Sequence, residues 1–158
     1  MNSHRLPNIV TENLFMQITP HFTLKELTTS QTAEREGLDN TPPPEVVSNL
    51  CLLCQALEEV RALFASPIII SSGYRCPTVN ARVGGGRNSQ HISGLAADFT
   101  VIGVDNREVV RRVSESAVAF DQLILEFDRW VHLSVSAAAP RREVLTIRKG
   151  TGYLPGLQ

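Results

Sequence analysis

The longest regular pattern of apolar positions in the chain lies over residues 44–64. Prolines at positions 42–44 lead into it, and proline is tolerated in the first turn of a helix. Apolar side chains then recur at the three- and four-residue spacing of one helix face: Val46, Val47, Leu50, Leu53, Cys54, Leu57, Val60 and Leu63. This spacing predicts a helix over residues 44–64 that is the long helix of the core.

Capping residues predict shorter helices on either side of it. Thr23 followed by Glu26 is a capping box, in which each residue satisfies a free backbone N–H of the other. Ser30 is a second cap, and Gly37 ends the helix that it begins. The predicted shorter helices are one after Thr23, residues 31–36, residues 77–83 and residues 105–118, the last capped by Asp105 or Asn106.

Strands are predicted in five segments rich in β-branched and apolar residues: 67–72, 96–101, 122–127, 131–135 and 144–148. Side chains alternate between the two faces of a strand. Over 96–101 this places Ala96, Asp98 and Thr100 on one face, so Asp98 points away from its large apolar neighbours. Residues 122–127 and 131–135 are predicted to form a hairpin, and the tail from Gly150 to be loosely ordered.

The predicted elements define an α+β fold in a single domain, with a small antiparallel sheet packed against helices. The chain has 158 residues, of which 42% are hydrophobic and 20% charged, which suits one domain with a real core. Residues 1–15 are polar and irregular. We therefore expect an N-terminal arm or extension over 1–15 and a folded domain over 16–158.

Charge and hydropathy exclude several kinds of partner. The net charge of −1 and the pI of about 6.4 provide no electrostatic surface for nucleic acid. No apolar run approaches the roughly 20 residues that cross a bilayer, so membrane insertion is not expected. No apolar block follows His4 and Arg5, so we expect no signal peptide and synthesis in the cytoplasm.

The three cysteines do not indicate a disulfide framework, because an odd number cannot all pair. Cys51 and Cys54 form a Cys-x-x-Cys pair, which is compatible with redox chemistry or with half of a zinc knuckle. Both lie on the predicted long helix and no second pair follows, which favours two packed thiols. Cys76 precedes Pro77 and is interpreted as a turn or helix-start residue.

Four residues together have the composition of a hydrolytic zinc site. His91 and Asp98 lie in one short stretch, and Glu126 and His132 lie in another. Catalytic zinc uses three protein ligands of this kind and leaves a position open for water, whose pKa the ion lowers. We assign His91, Asp98 and His132 as ligands of one Zn²⁺ and Glu126 as the general base and acid.

Each of these residues alone is more often structural, and only the combination points to chemistry. Asp128 is a rival base, although an aspartate at a hairpin tip is usually solvated. His4 and His21 are not expected to be ligands. The glycine run at 84–86 lacks the lysine and Ser/Thr of a phosphate-binding loop, so we interpret it as a flexible loop beside the site.

The geometry of the predicted hairpin decides whether Glu126 and His132 can cooperate. A three-residue connection over 128–130 pairs Glu126 with His132 on one face of the sheet. A two-residue turn over 128–129 instead pairs Glu126 with Val131 and separates the two side chains. The zinc site therefore requires a loop of odd length or a bulge.

The chain resembles a known family in two stretches. The stretch Ser89-x-His91-x-x-Gly94-x-Ala96-x-Asp98 is similar to the zinc motif of D-alanyl-D-alanine metallopeptidases. Residues 120–135 also resemble the corresponding part of the hedgehog signalling domain, which shares the peptidase fold. The pattern covers about residues 16–135, and short phage- or prophage-encoded peptidases look most similar.

The resemblance implies a zinc peptidase, either carboxypeptidase or endopeptidase, that acts on peptidoglycan stem or cross-link peptides. Arg75 matches the arginine that receives a substrate carboxylate or polarises the scissile carbonyl, and Ser89 matches the motif serine that contacts substrate or supports the site. Several relatives have another histidine where this chain has Trp130. Others place the base where this chain has Arg129, so the base role is assigned to Glu126.

The alternative is a cell-wall-binding module or phage virion component that retains the zinc fold without turnover. The expected absence of a signal peptide and the possible arm over 1–15 motivate it, since phage proteins reach the cell wall without such a signal. Phage structural proteins are then possible partners. Hedgehog domains illustrate that this fold can serve purposes other than catalysis.

Overall fold

The computed structural model describes residues 16–158, so the predicted arm and His4 lie outside the described residues. Five helices occur in this part of the chain: α1 (Leu24–Thr28), α2 (Gln31–Glu36), α3 (Pro44–Phe64), α4 (Pro77–Arg82) and α5 (Asn106–Ser114). The predicted caps are present. Thr23 and Glu26 form the capping box, Ser30 accepts from the Ala33 amide, and Gly37 ends α2 in the left-handed conformation.

The strands form one small sheet and one large sheet. β1 (Gln17–Thr19) and β2 (Phe22–Thr23) pair with each other. The large sheet contains β3 (Ile68–Ser72), β4 (Ala96–Val101), β5 (Gln122–Glu126), β6 (Trp130–Ser134), β7 (Glu143–Ile147) and β8 (Leu154–Pro155). Their order across the sheet is β3-β4-β6-β5-β7-β8. The α+β prediction is confirmed, with helices packed on the sheet.

The large sheet is mixed rather than purely antiparallel. β6 already has β4 on one side and β5 on the other, so β7 can add only to the free edge of β5. The connection over 135–142 returns the chain to the start of β5, where the Glu143 amide donates to the Asp121 carbonyl. β7 therefore runs parallel to β5, whereas the other neighbours are antiparallel.

The two faces of the large sheet have different environments. One face packs against α3 and α5 and contributes the following buried side chains to the core: Ala97, Phe99, Val101, Leu123, Leu125, Val131 and Leu133. The opposite face carries the alternate residues of the same strands, including Asp98, Glu126 and His132. The two-residue alternation of the strands thus separates the packed core from the polar groups. Among residues 16–158, no helix combines the length and apolar character needed to span a bilayer.

The β5–β6 hairpin satisfies the required parity but not the predicted register. Its loop is Phe127-Asp128-Arg129, so Glu126 pairs with Trp130, and His132 lies opposite Ile124. Phe127 and Asp128 both have positive φ, and the Arg129 amide donates to the Glu126 carbonyl. The loop has three residues, so Glu126 and His132 share a face as diagonal neighbours. The predicted pairing of Glu126 with His132 is wrong, because the partner of Glu126 is Trp130, two residues earlier on β6.

Two predicted boundaries also require correction. The helix expected over 105–118 ends at Ser114. Arg142 donates to the carbonyl of Ser114 at that end and to the carbonyl of Ser116 beyond it. The tail from Gly150 is not loosely ordered, because β8 pairs with β7. Both corrections arise from contacts between segments distant in sequence, which local patterns do not contain.

Candidate metal and peptide site

The three predicted metal ligands meet on the polar face of the large sheet. Asp98 and His132 are direct cross-strand partners on β4 and β6, and the His132 Nδ1 lies 2.9 Å from the Asp98 Oδ1. His91 comes from the loop that precedes β4, and its Nε2 lies 3.3 Å from the same oxygen. All three side chains are buried. One ligand atom from each lies within 4.8 Å of the others.

Gly73 holds the imidazole of His91 in a defined orientation. Its carbonyl lies 2.7 Å from the His91 Nδ1, and a carbonyl can only accept, so Nδ1 carries the proton. The Arg75 amide donates in turn to the His91 carbonyl at 3.1 Å. A Cβ added at Gly73 would lie 2.3 Å from the Leu27 carbonyl oxygen. Glycine at this position therefore permits the close packing of the backbone against Leu27 that accompanies the contact with His91.

The His91 Nε2 and the Asp98 carboxylate face one another, and both are in forms that can bind a cation. With its proton on Nδ1, a neutral His91 directs a lone pair from Nε2 towards Asp98. Burial lowers the pKa of His91 and so favours this neutral form. Burial would raise the pKa of Asp98, but the two imidazoles that face it, His132 first, hold that pKa well below its usual range. An ionised carboxylate and a neutral imidazole are ligand forms that bind metal.

The separations and surroundings of these atoms suit zinc. Zinc–ligand bonds of about 2.0–2.1 Å place tetrahedral ligands roughly 3.3 Å apart. The His91–Asp98 separation of 3.3 Å agrees, and the His132–Asp98 separation is 2.9 Å. Metal-binding histidines usually donate their second N–H to a carbonyl or carboxylate, as His91 does to Gly73. The residues present therefore fit a zinc ion.

Glu126 lies at the edge of this cluster with one oxygen engaged and one directed inward. Trp130 donates from Nε1 to the Glu126 Oε2 at 2.8 Å, and the Glu126 Oε1 lies 3.9 Å from the His132 Nδ1. Burial raises the pKa of Glu126, and the charge of Asp98 adds to that rise. A raised pKa brings a carboxylate nearer to the operating pH of a proton-transfer group.

Arg75 approaches the same cluster from the end of β3. Its Nη2 lies 3.9 Å from the Asp98 Oδ2, and its side chain is only 15% exposed. Burial lowers the pKa of Arg75, but Asp98 and Glu126 oppose that shift, and a guanidinium remains charged in proteins. The Arg75 Nε is buried with no hydrogen-bond partner among the described residues. A buried donor of this kind is available for an oxygen atom of a ligand.

The loop before His91 is fastened to the sheet by polar contacts. The Ser89 hydroxyl accepts from the His91 amide at 3.4 Å. Gln90 donates to Asp121, and Arg141 also donates to Asp121 from its backbone and its guanidinium. The hydrogen bonds from Arg141 lower the pKa of Asp121 to about 2 despite burial. These contacts hold the loop against the start of β5.

A cleft of about 670 Å³ opens over the cluster. The three potential ligands, Glu126, Arg75 and Ser89 all line it. The cleft has the size of a small-molecule or peptide site. All six residues predicted to form the site are thus brought together in one cavity.

Among the described residues, those that the sequence analysis set aside as metal ligands or as the base lie outside the cleft. Asp128 is exposed at the hairpin tip and pairs with Arg107 at 3.5 Å. His21 pairs with Glu58 at 2.7 Å, and neither residue lines the cleft. Cys51 and Cys54 are free thiols on α3, and Cys76 caps α4. Asn80 donates to the Gly86 carbonyl and so supports the glycine loop.

Sequence reasoning missed three features of the site. Trp130 appeared only as a departure from the family pattern, whereas its indole N–H contacts Glu126. The distance of four residues across a three-residue loop could have indicated this pairing. Gly73, whose carbonyl orients His91, was not predicted to contribute to the site. Tyr153 lies at the edge of the cleft, although it is remote in sequence from every motif.

Comparison with known proteins agrees with this geometry. No curated protein matches the chain. Residues 20–134 match the family model described as Peptidase M15, a region that contains the potential ligands, Glu126 and Arg75. The match covers most of the chain and confirms the resemblance inferred from the zinc motif. The chain belongs to the peptidase M15 family, the family of zinc D-Ala-D-Ala carboxypeptidases.

Proposed function

We propose that this protein is a zinc-dependent peptidase that hydrolyses peptidoglycan stem or cross-link peptides. Membership of a peptidase family supports the reaction class. His91, Asp98 and His132 hold the ion, Glu126 transfers the proton, and Arg75 and Ser89 bind the substrate. The observation that carries the proposal is the convergence of all six side chains in one cleft.

The ligand triad prepares the site before substrate arrives. Gly73 fixes the His91 tautomer, and Asp98 and His132 oppose each other on neighbouring strands, so little reorganisation is required. A zinc ion held there supplies a Lewis acid that makes water more acidic and polarises a carbonyl. The sheet keeps Asp98 and His132 together while substrates and products exchange. The hydrogen bond from His91 to the Gly73 carbonyl keeps the third ligand beside them.

Glu126 is the proton-transfer group. Its Oε1 accepts a proton from the attacking water as the oxygen adds to the peptide carbonyl carbon. The same carboxyl then delivers that proton to the leaving amine as the C–N bond breaks. Trp130 holds the other oxygen through its indole N–H, which keeps Oε1 directed at the reacting groups.

Arg75 and Ser89 orient the substrate. The free Nε of Arg75 and its position beside Asp98 suit it to bind the scissile carbonyl oxygen, where negative charge develops. A guanidinium can also bind a substrate carboxylate. Ser89 lines the cleft next to His91, so its hydroxyl is available to the peptide backbone.

Digestion of purified peptidoglycan tests the proposal. The zinc-loaded protein is expected to release peptide fragments or D-alanine that mass spectrometry identifies, and a chelator is expected to abolish the release. The fragments also report which bond is cut. If the protein binds zinc but releases no fragments, the proposed peptidase activity is contradicted. That result would favour the alternative, a cell-wall-binding or virion module acting at the bacterial wall.

A further inference from the structure

The cleft does not end at the metal site. A second hollow of about 630 Å³ adjoins the cleft at Glu126 and His132. It is also bounded by polar residues of the His91 loop and by Gln122, Ile124 and Leu145. The two hollows share Ser89, Glu126, His132 and Tyr153 among their lining residues. Each is large enough for a ligand of drug size, which is larger than a single amino acid. Glu126 and His132 therefore border two adjoining hollows, which together offer more room than the cleft alone.

Tyr153 lies where the two hollows meet and is held there by its neighbours. Leu154 and Pro155 pair with β7, and the Gly156 amide donates to the Val144 carbonyl at 2.8 Å. The buried Thr146 hydroxyl donates to the Gly156 carbonyl at 2.8 Å. These contacts anchor the backbone immediately after Tyr153.

The chain before Tyr153 is also fastened. The Thr151 hydroxyl accepts from the Arg148 amide at 3.0 Å, and the Thr151 amide donates to the Arg148 carbonyl at 3.1 Å. Tyr153 is nevertheless 59% exposed. Its aromatic ring is thus presented to the cleft from a fixed backbone rather than packed into the core.

The chemistry of this side chain suits a wall along a peptide. A tyrosine ring offers a large, rigid apolar surface with a polar end, and little side-chain entropy is lost when it binds. Burial raises the pKa of Tyr153, and the negative charges of Glu126 and Asp98 add to that rise. Tyr153 is therefore close enough to the site to be affected by its charges. The family match ends at residue 134, so β7, β8 and Tyr153 lie outside it.

We propose that Tyr153 is a substrate-positioning residue whose ring packs against a peptide that passes through both hollows. The substrate then continues on both sides of the bond to be cut, as in a peptide cross-link. This inference rests on the proposed function and specifies its substrate as an extended peptide. Tyr153 acts through binding, so its removal affects the Michaelis constant and leaves the chemical step intact.

Steady-state kinetics on a cross-linked stem-peptide dimer test this inference. Tyr153→Ala is expected to raise KM about tenfold with kcat within about twofold, because the ring is lost. Tyr153→Phe keeps the ring and is expected to retain the KM of the unaltered protein. Ile102→Ala removes an exposed apolar side chain outside both hollows and serves as the matched control. Zinc content and circular dichroism verify that each variant folds.

A binding measurement separates failure of this inference from failure of the proposed function. Calorimetry with the same dimer and zinc-loaded Glu126→Ala is expected to show about tenfold weaker binding when Tyr153→Ala is added. An unchanged KM and affinity in Tyr153→Ala would overturn the inference, as would a fall in kcat alone or an equal defect in Tyr153→Phe. If the unaltered protein cleaves nothing, the proposed function fails while the calorimetric comparison still decides the role of Tyr153.

Discussion

The two faces of the six-stranded sheet use the same strands for opposite purposes. On β6, Leu133 is fully buried among α3, α5 and neighbouring strands, whereas the adjacent His132 faces Asp98, His91 and the cleft. On β4, Phe99 and Asp98 are divided in the same way. One face gains free energy by removing apolar surface from water, and the other holds buried polar groups against one another.

This division means that stability and chemistry can be altered separately at adjacent positions. A core side chain contributes by its volume and apolar area, so its loss weakens the whole fold. A side chain on the polar face contributes a specific atom, so its loss removes a function. Neighbouring residues on one strand therefore provide matched pairs of variants.

His132→Ala is expected to have the largest effect on the polar face. It removes one of three potential ligands, and even the loss of a supporting partner of a ligand lowers metal affinity 10–100-fold. We expect zinc affinity to fall by more than about a hundredfold, measured by competition with a chromophoric chelator. The far-ultraviolet circular dichroism spectrum should remain that of the unaltered protein. Retention of tight zinc binding would remove His132 from the ligand set.

Leu133→Ala is the matched change on the core face. Truncation of a fully buried leucine leaves a cavity and is expected to lower the free energy of unfolding by about 2–5 kcal/mol. Urea titration measures this change. The folded fraction should bind zinc as the unaltered protein does. A larger effect on zinc affinity than on stability would show that the two faces are not separable.

Asp121→Asn tests the polar contacts that fasten the His91 loop. The pKa of Asp121 is lowered to about 2, so its ionised form contributes stability above its usual pKa of 3.8 that disappears as the pH falls towards 2. We expect a loss of about 1–2 kcal/mol at neutral pH, because the exposed Arg141 is screened by solvent. Urea titrations should show this difference shrinking at about pH 2.5.

Glu143→Gln is the control for that measurement. Glu143 forms an exposed ion pair with the same Arg141 at 3.4 Å, so it should change stability by less than about 1 kcal/mol. Equal effects of Asp121→Asn and Glu143→Gln would contradict the special role of the buried carboxylate.

Trp130→Phe is expected to have the smallest effect. It keeps an aromatic ring but removes the N–H that lowers the pKa of Glu126. Glu126 must be ionised to accept a proton, so the acidic limb of the pH–activity profile should move to higher pH. Loss of one hydrogen bond worth about 1 kcal/mol predicts roughly fivefold lower kcat/KM at neutral pH. An unchanged profile would show that Trp130 does not support Glu126.

Local signals in the sequence were sufficient for much of the fold and for proposing the potential metal ligands and Glu126. Arg75 and Ser89 were proposed from the family resemblance. The apolar stripe over 44–64, the cap at Thr23 and the alternation along β4 depend on neighbours within a few residues. The same is true of the motif from Ser89 to Asp98. Each of these features is determined within a single helix, strand or loop, so a local pattern is enough to predict it.

Features that depend on distant partners could not be predicted from these signals. The parallel placement of β7 follows from β6 having neighbours on both sides, and the ordered tail depends on pairing with β7. The hairpin obeyed the parity rule, but its register depended on positive φ at Phe127 and Asp128. Tyr153 reaches the cleft only because of these long-range contacts.

We propose that the polar face of the sheet holds a zinc ion and that Glu126 transfers the proton. The most direct test measures zinc content and peptide release together in Glu126→Ala. We predict one zinc per chain, as in the unaltered protein, and a loss of turnover of at least about a hundredfold. Peptide release at the unaltered rate, with zinc bound, would contradict the role of Glu126 in proton transfer.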